Sequence, residues 1–202
     1  MPSTRNRQGR RRRRLLGFWA VAVVAVPLAG TAALAANPTP VAINDGAGDV
    51  GGPLDLQRAA LHRSSDGRLR AILTFVGTVS PRTLLASAGP PGSVCLRVWT
   101  DPAADPRAVR PDRLVCVTAR SPDELRAGVY QQRGRGLPRR IASSQARTNR
   151  SGRSFVLRVT QSSLGSPASI RFAAESTRPD CDRPDCIDTA PDGGGVRLFR
   201  LR

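Results

Sequence analysis

The residues of this chain that could do chemistry are its carboxylates, its four cysteines and a lone histidine. The first group along the chain is the segment Asp45-Gly46-Ala47-Gly48-Asp49, followed closely by Asp55. Carboxylates and freed carbonyls in a glycine-rich loop supply the hard oxygen ligands that Ca²⁺ prefers, and Asp188 or Asp192 would join them if the chain ends meet. The competing reading is that aspartates in turns accept backbone N–H bonds and need no metal. The twelve-residue calcium-loop pattern does not occur here.

Catalytic chemistry is narrowed by what the sequence lacks. A Ser-His-Asp system would have to use His62, and no Gly-x-Ser-x-Gly elbow is present. With no lysine, a Schiff base, a P-loop and a Ser-Lys dyad are all ruled out. Carboxylates for glycoside hydrolysis exist at Asp45, Asp49, Asp55, Asp123, Glu124, Glu175 and Asp188, but no spacing singles out an acid and a nucleophile. Sugar-binding platforms are usually planar aromatics. Phe75, Phe155, Phe172 and Phe199 occupy alternating strand positions that suit a core, which leaves Trp99 and Tyr130 either as a small ligand-binding face or as core-edge packing.

Cys95, Cys116, Cys181 and Cys186 form an even set, which in an oxidising compartment reads as two disulfides. Four cysteines allow three connectivities. Cys95 with Cys116 is the favoured pairing, because each lies in an alternating apolar run that suits neighbouring antiparallel strands; Cys181 with Cys186 then closes a small loop. Zinc is disfavoured by the spacing and by the single histidine.

Residues 1–36 have the three parts of an export signal: a basic start ending in Arg10 to Arg14, an apolar run from Leu15 to Gly30, and a small-residue end at Thr31 to Ala36. Leu15 to Ala36 is also long enough to span a bilayer, for which about 20 residues suffice. The segment is therefore a cleaved signal peptide or an uncleaved anchor, with Pro27 and the small-residue end favouring cleavage. Seven arginines precede the apolar run, and without them the other 25 arginines against 15 acids leave a charge of +10 instead of +17. Every cation is arginine, a uniform skew that points to coding composition and argues against nucleic-acid recognition.

The elements that must position these residues read as short strands. A linker at 37–44 precedes one domain over 45–202. Leu54 to Arg63 and Arg68 to Val76 alternate in polarity about Ser65-Asp66-Gly67, which predicts a hairpin with Leu54, Leu56, Ala60 and His62 on one face. Ser80-Pro81 predicts one short helical turn. Further strands are expected at Val94 to Trp99, Arg113 to Thr118, Leu125 to Gln131, Arg139 to Thr148, Ser154 to Thr160, Ser169 to Ala174 and Val196 to Leu201. Eight to ten short strands with turn signals between them predict an all-β, antiparallel β-sandwich.

Asp45-x-x-Gly48-Asp49 followed by Pro53-Leu54-Asp55-Leu56 and the turn Asp66-Gly67 resembles the opening of exported bacterial β-sandwich proteins related to the DOMON and family-9-type carbohydrate-binding modules. Phe155 to Thr160 leading into Ser163-Leu164-Gly165, and Cys186 to Gly193 before a closing strand, are similar as well. The resemblance implies a sandwich that binds sugars, haem or surface ligands, although haem would need axial ligands this chain barely offers. The expectation is an extracytoplasmic, non-catalytic binding or cell-envelope protein, with a glycan or an anionic envelope polymer as ligand and a membrane attachment only through an uncleaved N-terminus. A carboxylate-dependent hydrolase of extracellular polysaccharide and a structural partner of another exported protein are the alternatives.

Overall fold

The computed structural model describes residues 39–201 except 47, 49, 135 and 182; the expected export signal, the start of the linker and Asp49 lie outside the described residues. Eleven strands are present among the described residues: β1 (Val41–Asn44), β2 (Leu56–Arg63), β3 (Leu69–Phe75), β4 (Ser93–Trp99), β5 (Arg113–Ser121), β6 (Glu124–Gln131), β7 (Arg139–Thr148), β8 (Ser154–Val159), β9 (Ser169–Thr177), β10 (Ile187–Ala190) and β11 (Arg197–Arg200). Among the described residues helical structure is confined to four 3-10 turns, of which Pro81–Leu84 is the one expected from Ser80-Pro81. The fold is an antiparallel β-sandwich.

Pairing is antiparallel throughout and runs β1-β2-β3-β8-β7-β6-β5-β4-β9-β10, with β11 also on β9. Strand β7 is the corner: Arg139 to Ser144 pair with β6 in one sheet, and Gln145 to Thr148 pair with β8 in the other. The two free ends of the chain of strands come back together, β1 against β11 and β2 against β10 and β9, so the barrel is nearly closed along one seam. Closure protects the edges that an open sheet would expose.

Alternation builds the core. In β3 the buried Leu69, Ala71, Leu73 and Phe75 alternate with half-buried Arg70, Ile72 and Thr74. Phe75, Phe155, Phe172 and Phe199 are all fully buried, and Phe75 meets Phe155 edge-to-face at 5.7 Å. The hairpin turn is as expected: Gly67 has φ of 76° and its N–H donates to the Ser64 carbonyl. The face of β2 is not as expected. A bulge between Leu56 and Arg58 inserts Gln57, so Leu56, Ala59 and Leu61 point inward while Ala60 and His62 point outward. The even-spaced set read from the sequence is therefore split between the two faces.

Cys95 and Cys116 are directly opposite one another on β4 and β5, with Cα atoms 4.0 Å apart, and are disulfide-bonded. Cys181 and Cys186 form the second bridge, leaving no free cysteine. Two disulfides are the signature of an oxidising, extracytoplasmic compartment. Among the described residues no helix is long and apolar enough to cross a membrane.

Candidate functional site

The aspartate loop lies on the seam. It leads from β1 to β2, and the chain entering β2 is fastened to the opposite edge by side chains of β9 and β10. The carboxylate of Asp188, only 1% exposed, accepts the Leu56 N–H at 2.5 Å, and the Ser176 hydroxyl donates to the Leu54 carbonyl at 2.6 Å. Asp45 Oδ1 accepts the Asp192 N–H at 3.0 Å, Arg178 donates to the Gly51 carbonyl at 3.1 Å, and Arg63 donates to the Leu201 carbonyl at 2.8 Å. These bonds stand in for the ladder that a fully closed barrel would have.

Asp45, Asp188 and Asp192 converge there, each offering one oxygen within 4.8 Å of the others. Asp55 does not join them: it is 4% exposed and its Oδ2 accepts the Gly48 N–H at 2.8 Å, holding the loop's own turn. Of the four residues expected to hold Ca²⁺, then, Asp45 and Asp188 come together, Asp55 is engaged elsewhere, and Asp192 takes the third place. Three hard oxygens are half or fewer of the six to eight that Ca²⁺ takes. Both Asp45 and Asp188 already hold backbone N–H groups across the seam.

The aromatic pair separates. Trp99 is 3% exposed, its indole N–H donates to the Val109 carbonyl at 2.8 Å, and the Arg97 guanidinium lies 5.4 Å from the ring centre. Tyr130 is half-buried on β6, opposite Leu114 and Arg140, and β5 stands between it and the strand that carries Trp99. Trp99 thus packs the 100–112 loop onto β4, while its edge borders a cleft of about 300 Å³ together with Arg97, Arg107 and the run Gly193 to Gly195. Near this cleft, burial pushes the Glu175 carboxyl above its ordinary value, opposed by Arg97 at 3.6 Å. Its close charged neighbour is a cation, not the second carboxylate that glycoside hydrolysis requires.

A feature missed by motif reading is the outer face of the sheet formed by β2, β3, β8 and β7. With β7 counted only over Gln145 to Thr148, where it pairs with β8, these four strands contain five arginines, one histidine and no carboxylate. Register lines up His62, Arg70, Arg158 and Gln145 as one row across them, with Arg70 directly opposite Arg158. Like charges directly opposite destabilise a sheet. The Nε–H groups of both Arg70 and Arg158 are also buried without a hydrogen-bond partner. Burial and then Arg70 hold the His62 imidazole below its ordinary pKa, so the row carries its charge on arginine.

Other arginines are committed to architecture. Arg63, Arg153, Arg171 and Arg178 each donate to main-chain carbonyls of distant segments. By contrast, Arg58, Arg70, Arg147 and Arg158 form no ion pair among the described residues. The sequence did hold a signal for this face. From Leu125 to Ala174 there are ten arginines and no aspartate or glutamate; all 15 acids of the chain lie outside that stretch. Compared with known proteins, the chain matches no family model, no curated protein and no solved structure.

Proposed function

We propose that this is an exported, non-catalytic binding protein of the cell envelope whose ligand is an anionic surface polymer bearing uronate or phosphate groups. The observation that carries the reading is the Arg70–Arg158 pair: two guanidinium groups opposed in register, each with a buried and unsatisfied Nε–H, on strands without a carboxylate. An unsatisfied buried donor costs about 1–3 kcal/mol. A carboxylate or phosphate seated between the two groups would satisfy both donors and cancel the repulsion. Arginine suits this role because its planar fork pairs with such anions in two-point fashion. Two opposed arginines about 4.8 Å apart, with Arg58 and Arg147 on the strands to either side, suit a polyanion better than a single small ion. The resemblance to carbohydrate-binding sandwiches and the two disulfides are consistent with a role outside the cytoplasm.

The test is binding of the protein to polygalacturonate and to a glycerol-phosphate polymer over a range of salt, with neutral dextran as control. Binding should weaken steeply with salt, and replacing Arg70 and Arg158 by glutamine should reduce the slope of log K against log salt by about 1.5 units, the counterions of two contacts. His62 is the only histidine in the chain, so its titration can be followed directly. Bound polyanion should offset Arg70 and raise its pKa. Salt-insensitive binding, equal affinity for dextran, or an unmoved His62 would reject the proposal.

A further inference from the structure

The β6–β7 hairpin ends in a tip whose chemistry differs from that of the arginine row. Leu137 is 94% exposed, the most open of the large apolar side chains. Ile141, four residues on, is 42% exposed because a bulge displaces it: Val129 pairs with Ala142 and Tyr130 with Arg140, leaving Ile141 as the extra residue. Bulges re-aim side chains in this way, and here the re-aimed residue is apolar and faces water. The tip is also well built. The Gln132 side-chain amide donates to the Gly134 carbonyl at 3.2 Å and the Gly136 carbonyl at 3.0 Å, and the Gly136 N–H donates to the Arg133 carbonyl. Leu137 is therefore presented by a hydrogen-bonded turn.

Exposed Arg133 and Arg139 flank these two side chains, and neither forms an ion pair among the described residues. The tip's own strands have no carboxylate beyond Glu124, and the acid beside it across the ladder, Asp112, whose carbonyl accepts the Gln132 N–H, has its carboxylate engaged by Thr100. Exposed apolar side chains with exposed arginines next to them along the hairpin match the layering of a bilayer interface, where acyl chains lie beneath anionic phosphates and a long cationic side chain keeps its head at the phosphate level. We infer that this tip docks on an anionic lipid bilayer, Leu137 and Ile141 entering the interface and Arg133 and Arg139 pairing with lipid phosphates. This contact is separate from the polymer face: it needs the apolar tip, which a polyanion in water does not.

Co-sedimentation with phosphatidylglycerol/phosphatidylcholine vesicles tests it, beside pure phosphatidylcholine vesicles. The protein should bind the anionic vesicles, and Leu137→Asp should lower partitioning by about tenfold or more, the worth of one buried leucine. The same variant should melt like the parent and bind polygalacturonate unchanged, since its side chain touches neither core nor arginine row. Leu137→Trp should bind at least as well and shift its fluorescence to the blue on adding anionic vesicles. No binding by the parent, equal binding by Leu137→Asp, or no blue shift in Leu137→Trp would overturn the inference. Loss of vesicle binding in Arg70→Gln/Arg158→Gln with Leu137→Asp unaffected would overturn it as well, by assigning lipid to the polymer face.

Discussion

Replacing Asp188 tests whether the seam is held by directed bonds or only by the core beneath it. Its carboxylate accepts the N–H of Leu56, a residue with no solvent exposure, so Asp188→Ala leaves that donor buried and unpaired. A hydrogen bond to a charged group contributes about 1.5–3 kcal/mol, and an orphaned buried donor adds about 1–3 kcal/mol of desolvation. Against this stands relief of repulsion, because Asp45 and Asp192 each place an oxygen within 4.8 Å of the Asp188 carboxylate. At that range and an effective dielectric near 40, each repulsion is about 1.7 kcal/mol, so the two together, about 3.5 kcal/mol, offset most of the gross loss. The net expectation for Asp188→Ala is a loss of about 1 kcal/mol, or roughly 2–4 °C in Tm for a domain of this size. Asp188→Asn separates the two terms, since its amide oxygen can still accept from Leu56 while the charge is gone; it should lie within about 1 kcal/mol of the parent. Urea unfolding gives the free energies, and hydrogen exchange at the Leu56 amide reports the seam itself. If Asp188→Ala matches the parent in both measurements, or if Asp188→Asn is the more damaging change, the latch reasoning fails.

Two further outcomes follow from the same physics. Arg70→Gln/Arg158→Gln should weaken polyanion binding while raising stability by about 0.2–1 kcal/mol in urea unfolding, because a directly opposed like-charge pair is removed; a less stable variant would show that the pair serves the fold. Asp180 accepts hydrogen bonds from the Ser87 hydroxyl and from the N–H groups of Ser87, Ala88 and Gly89, and these hold its carboxyl well below the usual aspartate range. A depressed folded-state pKa contributes stability that is present above the unfolded value and lost as pH falls through the folded one, so the effect belongs to the window below about pH 4. Asp180→Asn should flatten the acid limb of the urea-midpoint curve there, and parallel curves for the two proteins would contradict the assignment.

What was legible in the sequence depended on how local the cause was. Strand β7 could be placed at Arg139–Thr148 from its own alternation, and Cys95 and Cys116 could be matched because both lie in such runs. Strands β1 and β10 were missed, since Val41–Asn44 and Ile187–Ala190 are four residues each and become strands only through β2 and β9. The face of β2 was misread because the Gln57 bulge is set by pairing with β3, not by composition. The aspartate loop was legible as a latch from its turn chemistry, but the choice of Asp192 over Asp55 required knowing where the chain ends meet. That Arg70 faces Arg158 is a property of the β3–β8 register, to which neither segment alone gives a clue.

The distribution of charge links these observations. Spread evenly, 15 acids among 25 arginines would give most arginines a nearby acid and leave a surface of weak, screened ion pairs. Here the acids lie in two blocks, Asp45 to Glu124 and Glu175 to Asp192, which supply the loops and the closing edge of the barrel. In those blocks carboxylates cap backbone N–H groups: Asp55 at Gly48, Asp188 at Leu56, Asp112 at Thr100 and Asp180 at Ser87. The stretch between them, from Leu125 in β6 to Ala174 in β9, has ten arginines and no acid of its own. A uniform arginine skew does not account for fifty consecutive residues without an acid, which include the three neighbouring strands β6, β7 and β8. Folding alone gains nothing from that segregation, because opposed guanidinium groups repel and buried Nε–H groups go unsatisfied. On the function proposed above, an anion from outside the chain would offset both costs at once.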